Sequence, residues 1–390
     1  MRLFFHIFRV LSTALPNFFV SAHIFLPAQE ILAGKRGENM DTFVCATRLC
    51  FGPNALQSLG TLQAKRVLLV TDPFFVRSGT AQRVLTNFPD AETEIFDRVT
   101  AEPSLTLVAE GVEVFRRLRP DTVLALGGGS ALDCAKGIVS MCGERPRLVA
   151  VPTTSGTGSE VTSFAILMHD GVKHPLIDEA LRPELAILDA SLLENLPKSV
   201  IADAGMDVLT HCLEAFVSKN ATLFTSALAA SAFRTALAQL PASYMGDVSV
   251  RAEIHQAATM AGIAFDNAGL GVCHALSHAL GGRFHLAHGR LNAILLPHIV
   301  RFNAVAAASA YGALAAQCRL SGVPGLCFAL TRLRRKLELP ESLTAAGLER
   351  SEVLANAAAL CRAALADPCL ASNPREVSLH DLHGLLEAAL

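Results

Sequence analysis

The 390-residue chain contains no Trp and two Tyr, and its aromatic content is 6% despite 21 Phe. That leaves no aromatic platform on which nucleic-acid bases could stack. Charge is scarce too, at 17% of residues. Lys+Arg 33 against Asp+Glu 35 gives a net charge of −2. No basic excess points to nucleic acid, and no acidic tail is present. The 10 Cys include no C-x-x-C pair. A chain with a large core needs no disulfide staples, so the thiols are read as reduced and mostly buried, in a cytosolic compartment. No internal repeat of fixed period and no low-complexity linker interrupts the chain. What is abundant is apolar: 51% hydrophobic residues exclude a disordered chain and supply one large or two ordinary domains.

Residues 1–39 differ from the rest. Arg2 and Arg9 accompany Phe4, Phe5, Ile7, Phe8, Val10 and Leu11, and a second apolar stretch runs through Phe18, Phe19, Val20, Ile24, Phe25 and Leu26. A basic flank before an apolar run imitates a signal peptide or anchor. Pro16, Asn17, Ser21 and His23 break the run, so it never reaches the roughly 20 apolar residues of a membrane span. The segment is read as an upstream extension with Met40 as the working start. A membrane address and a partner-binding or encapsulation tail are the alternatives.

From Met40 the chain has two textures, expected as domains 40–197 and 198–390. In the first, apolar runs alternate with helical spacing. Strands are expected at Arg66–Asp72, Asp121–Leu126 and Leu148–Pro152, and a helix over Thr106–Arg119. Strand runs without polar alternation fit a parallel sheet covered on both faces by helices. Beyond Pro197 helical spacing dominates and no strand is evident. The expected architecture is an α/β domain followed by an all-helical domain, with the site between them.

Chemistry concentrates in four places. Gly127-Gly128-Gly129-Ser130 follows a strand and opens a helix. It is either a tight βα turn or a cradle where backbone N–H groups and the helix dipole meet a pyrophosphate. It matches neither G-x-G-x-x-G nor a Walker loop. Thr153-Thr154-Ser155-Gly156-Thr157-Gly158-Ser159 follows the third strand and suits phosphate or ribose contacts. Asp72 ends the first strand, as a helix N-cap or as the acceptor for an adenosine ribose that favours NAD over NADP. In the helical half, Asp207 and His211 lie four apart, and Asp203 could join their face. Then His274, His278, His285 and His288 crowd into 15 residues. One carboxylate with imidazoles suits Fe or Zn, although isolated histidines on apolar helices are usually core residues.

Together these residues resemble the iron-containing (group III) alcohol dehydrogenases, from Met40 to the C-terminus. The carriers are the Gly127–Ser130 and Thr153–Glu160 loops, Gly205-Met206-Asp207-x-x-x-His211, and Gly271 to His288 with Asn292-Ala293. The resemblance implies a dehydroquinate synthase-like fold, NAD and one divalent metal, Fe2+ or alternatively Zn2+. It assigns Asp207, His211, His274 and His288 to the metal and Phe265 to the substrate side. Asp72, Gly127, Gly128, Gly129, Ser130, Asp133, Thr153, Thr154, Thr157 and Lys173 fall to the cofactor. It puts His278 beside the metal as a proton-handling residue, with His285 as the other candidate.

Met40-Asp41-Thr42-Phe43, Gly269-Leu270-Gly271, Phe284-His285-Leu286, Leu365-Ala366-Asp367 and Ser372-Asn373-Pro374-Arg375 point, within the family, to the 1-propanol dehydrogenases of propanediol-utilisation microcompartments. The ethanolamine-utilisation alcohol dehydrogenases are the near alternative. The expected activity interconverts a short-chain aldehyde and primary alcohol, propanal and 1-propanol first. The expected assembly is a homodimer or larger, without nucleic acid or membrane, in the cytoplasm or a bacterial microcompartment beside an aldehyde dehydrogenase. Glycerol dehydrogenase or dehydroquinate synthase chemistry on the same scaffold, and a non-catalytic encapsulated partner, are the competing readings. The short Cys142–Pro146 connection and residues 1–39 depart from the family pattern.

Overall fold

A computed structural model of the chain describes residues 42–169 and 172–390. The extension over residues 1–39, and Met40 as a start, lie outside them. In chain order the strands are β1 (Arg48–Phe51), β2 (Arg66–Thr71), β3 (Glu92–Phe96), β4 (Thr122–Gly127), β5 (Arg147–Pro152), β6 (Phe164–His169), β7 (Val172–Ile177) and β8 (Leu185–Leu188). The early helices are α1 (Pro73–Arg77), α2 (Thr80–Leu85), α3 (Leu105–Leu118) and α4 (Gly129–Cys142). One compact unit runs to Pro152 and adds Ser159–His169 and His174–Ile187. The other takes Thr153–Gly158, the stretch ending at Lys173, and Leu188–Leu390. The division therefore falls earlier than Lys198 and is not continuous in sequence.

The first unit is a sheet of order β1-β8-β5-β4-β2-β3, with β2, β3, β4, β5 and β8 paired in parallel. The apolar runs 66–71, 122–127 and 147–152 form three of the four interior strands, and β4 is buried along its whole length. Leu68, Val70, Val123, Ala125, Leu148 and Ala150 pack with Val108, Val112 and Phe115 of α3 and Leu132, Ala135 and Ile138 of α4. Burying each large side chain of that set contributes about 1.5–3 kcal/mol. Ser104 starts α3 by accepting the Leu107 N–H at 3.1 Å, and Arg119 ends it in a left-handed conformation at φ 50°.

The second unit is helical from Lys198 onward: α5 (Lys198–Val217), α6 (Leu223–Tyr244), α7 (Arg251–Ala268), α8 (Val272–Phe284), α9 (His288–Gln317), α10 (Gly322–Lys336), α11 (Arg350–Leu365) and α12 (Leu379–Ala388). Helix α5 packs against α6, α7 and α9. Among the described residues, only α9 is long and apolar enough to cross a membrane. Pro297 and a break at Ala307 interrupt it, and it is packed against α5, α8 and α10. All ten cysteines are free thiols.

Helix α4 carries a brace that its sequence does not advertise. Lys136 is fully buried, and its Nζ donates to Thr162 O at 2.9 Å, Thr162 Oγ1 at 3.1 Å and Phe164 O at 2.8 Å. One turn earlier, Asp133 accepts from Ser159 Oγ at 2.7 Å and from the Ile166 N–H at 3.0 Å. The pair pins segment 159–166 onto α4. Lys136→Met would leave those acceptors buried without a donor, and should cost about 3 kcal/mol of stability in chemical denaturation. An unchanged midpoint and slope would mean that the brace is not stabilising.

Candidate active site

Three helices of the second unit each present a pair of residues four apart: Asp207 and His211 on α5, His274 and His278 on α8, His288 and Asn292 on α9. They converge on one carboxylate oxygen. From Asp207 Oδ1, His274 Nε2 and His288 Nε2 are each 3.6 Å away and His211 Nε2 is 3.7 Å away. Asn292 Nδ2 donates to the same oxygen at 2.8 Å and approaches His288 Nε2 at 3.2 Å. The His211 and His274 rings stack at 4.7 Å between centroids, with Phe265 over His211 at 4.3 Å. Phe265 is thus a wall of the cluster.

Around His274 the second layer is complete. Its Nδ1 meets Glu214 Oε2 at 2.6 Å, and Glu214 also accepts the N–H groups of Gly271 at 2.9 Å and Cys273 at 2.7 Å. On the other side, His274 Nε2 is buried without a hydrogen-bond partner. Ligand atoms of Asp207, His274 and His288 all lie within 4.8 Å of one another. A carboxylate ringed by imidazole nitrogens, one of them buried and unpaired, is the donor set of a divalent transition metal, and the residues fit that ion.

The electrostatics agree. Burial opposes the Asp207 carboxylate, but His211, His288 and His274 outweigh it and hold its carboxyl well below the usual range. Burial pulls His211 down to about 4 against the attraction of Asp207. It also drives His288 well down, with His274 and Lys173 among the cations adding to it. His274 goes the other way. Burial lowers it, but Asp207 and Glu214 together lift it to about 9. In the metal-free protein near neutral pH, the ring most favoured to hold a proton is therefore His274, and a cation must displace that proton.

His278 belongs to the cluster and His285 does not. The His278 ring stacks on His288 at 5.2 Å, and its Nδ1 bonds Asp367 Oδ2 at 2.8 Å. His285 is exposed and ends α8 at φ 56°. Asp203 stays outside the ligand set, held by Arg290 Nη2 at 3.2 Å. Glu214 was not singled out from the sequence, although a lone carboxylate seven residues after Asp207 in an apolar helix was its signal.

In the first unit, Gly127 takes φ 152°, and a Cβ there would sit 2.6 Å from that of Ala131. Gly128 caps α4, and Gly129 and Ser130 begin it. Asp72 caps α1 by accepting the Phe74 N–H through Oδ1 at 2.8 Å, while Oδ2 faces Gly127. The cap engages Oδ1 of Asp72. Asp133 was expected at the cofactor, yet both its oxygens are engaged in the brace described above. Thr153, Thr154 and Thr157 lie in the loop assigned to the helical unit, where Ser155 Oγ meets His255 Nδ1 at 3.0 Å. The Lys173 ammonium approaches Gly281 of α8.

Residues 201–390 match the C-terminal model of the Fe-containing alcohol dehydrogenase family, and residues 46–190 match the iron-containing alcohol dehydrogenase model. The chain belongs to the iron-containing alcohol dehydrogenases. It is 39% identical to the 1-propanol dehydrogenase PduQ of Citrobacter freundii, over 90% of this chain and 100% of that protein. It is 36% identical to the bifunctional aldehyde-alcohol dehydrogenase AdhE of Escherichia coli K12, over 90% of this chain and 46% of that protein. A solved structure of sulfoacetaldehyde reductase from Bifidobacterium kashiwanohense in complex with NAD+ is similar at TM-score 0.83 and 26% identity, covering 90% of this chain and 99% of that one.

The family membership makes the start of α9 a sensitive point. A Cβ at Gly289 would lie 1.9 Å from the Asp203 carbonyl oxygen of α5. Gly289→Ala should push the first turn of α9 away and carry His288 from Asp207. After anaerobic loading, the variant should hold clearly substoichiometric Fe2+ or Zn2+ by elemental analysis. Full occupancy would show that α9 tolerates the shift.

Proposed function

We propose that this chain is an NAD-linked dehydrogenase, dependent on one divalent metal, that interconverts short-chain primary alcohols and aldehydes, with 1-propanol and propanal as the first pair. The observation that carries it is the convergence of His211, His274 and His288 on Asp207 with His274 Nε2 left unpaired. The similarity to a 1-propanol dehydrogenase over 90% of this chain supports the substrate class. The NAD+ complex of a structural relative supports the cofactor.

Asp207, His211, His274 and His288 would hold the metal, Fe2+ by family and Zn2+ as the alternative. When bound, the cation polarises the substrate oxygen and the nicotinamide exchanges hydride with the substrate carbon. Phe265 and the apolar faces of α5 and α7 exclude water around the imidazoles. His278, aligned by Asp367, takes and returns the hydroxyl proton. The Gly127–Ser130 turn offers the N-terminus of α4 to a pyrophosphate, and Asp72 Oδ2 faces that turn. Thr153, Thr154, Thr157 and Lys173 complete the cofactor set.

The ten free thiols support a reducing, cytoplasmic setting, and the PduQ relative supports a place in a microcompartment. An aldehyde dehydrogenase partner fits the AdhE match, where a bifunctional name covers a chain twice as long. A homodimer or larger assembly completes the proposal.

The test is an alcohol panel on anaerobically metal-loaded protein. NADH should form with 1-propanol and, by the ethanolamine-type alternative, with ethanol, but not with glycerol. Turnover of glycerol alone, or of no primary alcohol, would overturn the reading. Asp207→Ala and His274→Ala should lose bound metal and turnover while keeping the far-UV dichroism of the parent. Retained metal with full rate in either variant would discard the ligand set.

Asp72 makes a second expectation. A carboxylate facing a 2′-phosphate repels it at short range. Asp72→Ser keeps a cap for α1 and removes the charge, so NADP discrimination should fall by about tenfold or more, roughly 1.4 kcal/mol. An unchanged ratio of kcat/KM for the two cofactors would leave Asp72 as a cap only.

A further inference from the structure

We infer that Glu214 is a positioning residue that sets metal affinity by fixing His274, and that it does so with the same carboxylate that starts helix α8. The inference rests on the metal reading proposed above. Glu214 is 3% exposed, three residues beyond His211 on α5. Its Oε1 accepts the Cys273 N–H at 2.7 Å. Its Oε2 accepts the Gly271 N–H at 2.9 Å and faces His274 Nδ1 at 2.6 Å.

An acceptor-only carboxylate at that distance requires a proton on Nδ1. The tautomer follows: Nε2, the atom that points at Asp207, is the one left with a lone pair when the ring is neutral. An imidazole held this way is also more basic at Nε2, because negative charge on Glu214 stabilises the N–H it accepts. Rotation of the ring is blocked at the same time, since turning it would break a short charge-assisted bond inside a dry core.

The helix start needs the same group. Gly271, at the N-cap of α8, has no side chain to satisfy the first N–H groups. Glu214 takes those of Gly271 and Cys273, and Asn373 Oδ1 takes that of Val272 at 3.2 Å. His274 therefore follows three successive N–H groups, those of Gly271, Val272 and Cys273, held by side chains from elsewhere in the chain. One carboxylate couples the placement of α8 to the orientation of its metal-facing ring.

Two variants of the full-length protein separate the roles. Glu214→Gln keeps an oxygen for capping but loses the charge and presents an amide N–H toward Nδ1. Asn373→Ala removes a cap from the same helix start without touching His274. Zn2+ affinity is measured by competition with a chromophoric chelator, and stability by thermal melting of the metal-free protein. Glu214→Gln should weaken Zn2+ binding by about 10–100-fold and abolish the downfield Nδ1 proton resonance of His274. Asn373→Ala should lower the melting midpoint yet bind Zn2+ like the parent.

Wild-type affinity in Glu214→Gln, or an equal loss in Asn373→Ala, would reduce Glu214 to a helix cap and overturn the inference. A parent protein that takes up no Zn2+ would overturn it as well. If the parent binds Zn2+, Glu214→Gln binds it weakly and no alcohol is oxidised, the functional reading fails while the role of Glu214 stands.

Discussion

The structure of the helical unit is organised around a carboxylate that has no business being dry. Asp207 is 4% exposed, and an unpaired charge there would cost several kcal/mol. Its partners are three imidazoles and the Asn292 amide, none of which comes from a loop. Helix geometry delivers them: positions 207, 211 and 214 fall on one stripe of α5, 274 and 278 on one stripe of α8, and 288 and 292 on one stripe of α9. The close approach of α9 to α5 at Gly289 follows from the need to bring His288 within 3.6 Å of Asp207. Packing and charge compensation thus impose the same arrangement.

The first unit solves a different problem. Its parallel strands are buried on both faces, so polar chemistry can appear only where strands end. Gly127 ends β4, Asp72 follows β2, and both lie at the carboxyl ends of neighbouring parallel strands. Inside, polar groups serve architecture. Lys136 and Asp133 tie α4 to segment 159–166 through backbone and hydroxyl groups of that segment. Three positions after Ser130, Asp133 is half-buried and engages Ser159 Oγ and the Ile166 N–H.

Legibility in the sequence tracks burial. β2, β4 and β5 were readable because continuous apolar runs bounded by turns have one cheap interpretation in an α/β chain. β3, Glu92–Phe96, carries two exposed residues in five and hides its pattern behind charge. β1 and β8 are four residues each, too short for periodicity to register. Four-residue spacing on a helix puts Asp207 with His211 and His274 with His278 on shared faces, whereas the choice of Asp207, His211, His274 and His288 as one set comes from the family resemblance. His278 and His285 could not be separated that way, since the decision depends on the left-handed turn at His285 that points the chain out of the helix. Glu214 was invisible for the opposite reason: its partners, 57 to 60 residues away, are set by the crossing of α5 and α8, which no local pattern encodes.

The most distant contributors come from near the C-terminus. Asp367 orients His278 across 89 residues, Ser372 Oγ donates to Leu270 O at 2.6 Å across 102, and Asn373 receives the Val272 N–H across 101. These contacts hold the entry and the middle of α8, the helix that carries His274. Long-range contacts of this kind form only after the loop-closure entropy of the intervening chain has been met, so they assemble late. Helix α5, with Asp207, His211 and Glu214 on one local stripe, needs no such closure to set its spacing. The carboxylate and its first imidazole are consequently arranged by local structure, whereas the orientation of His278 depends on docking of segment 367–373 and that of His274 on the crossing of α5 and α8. A chain lacking that segment would retain the ligands in sequence yet lose the Asp367 bond that aims His278.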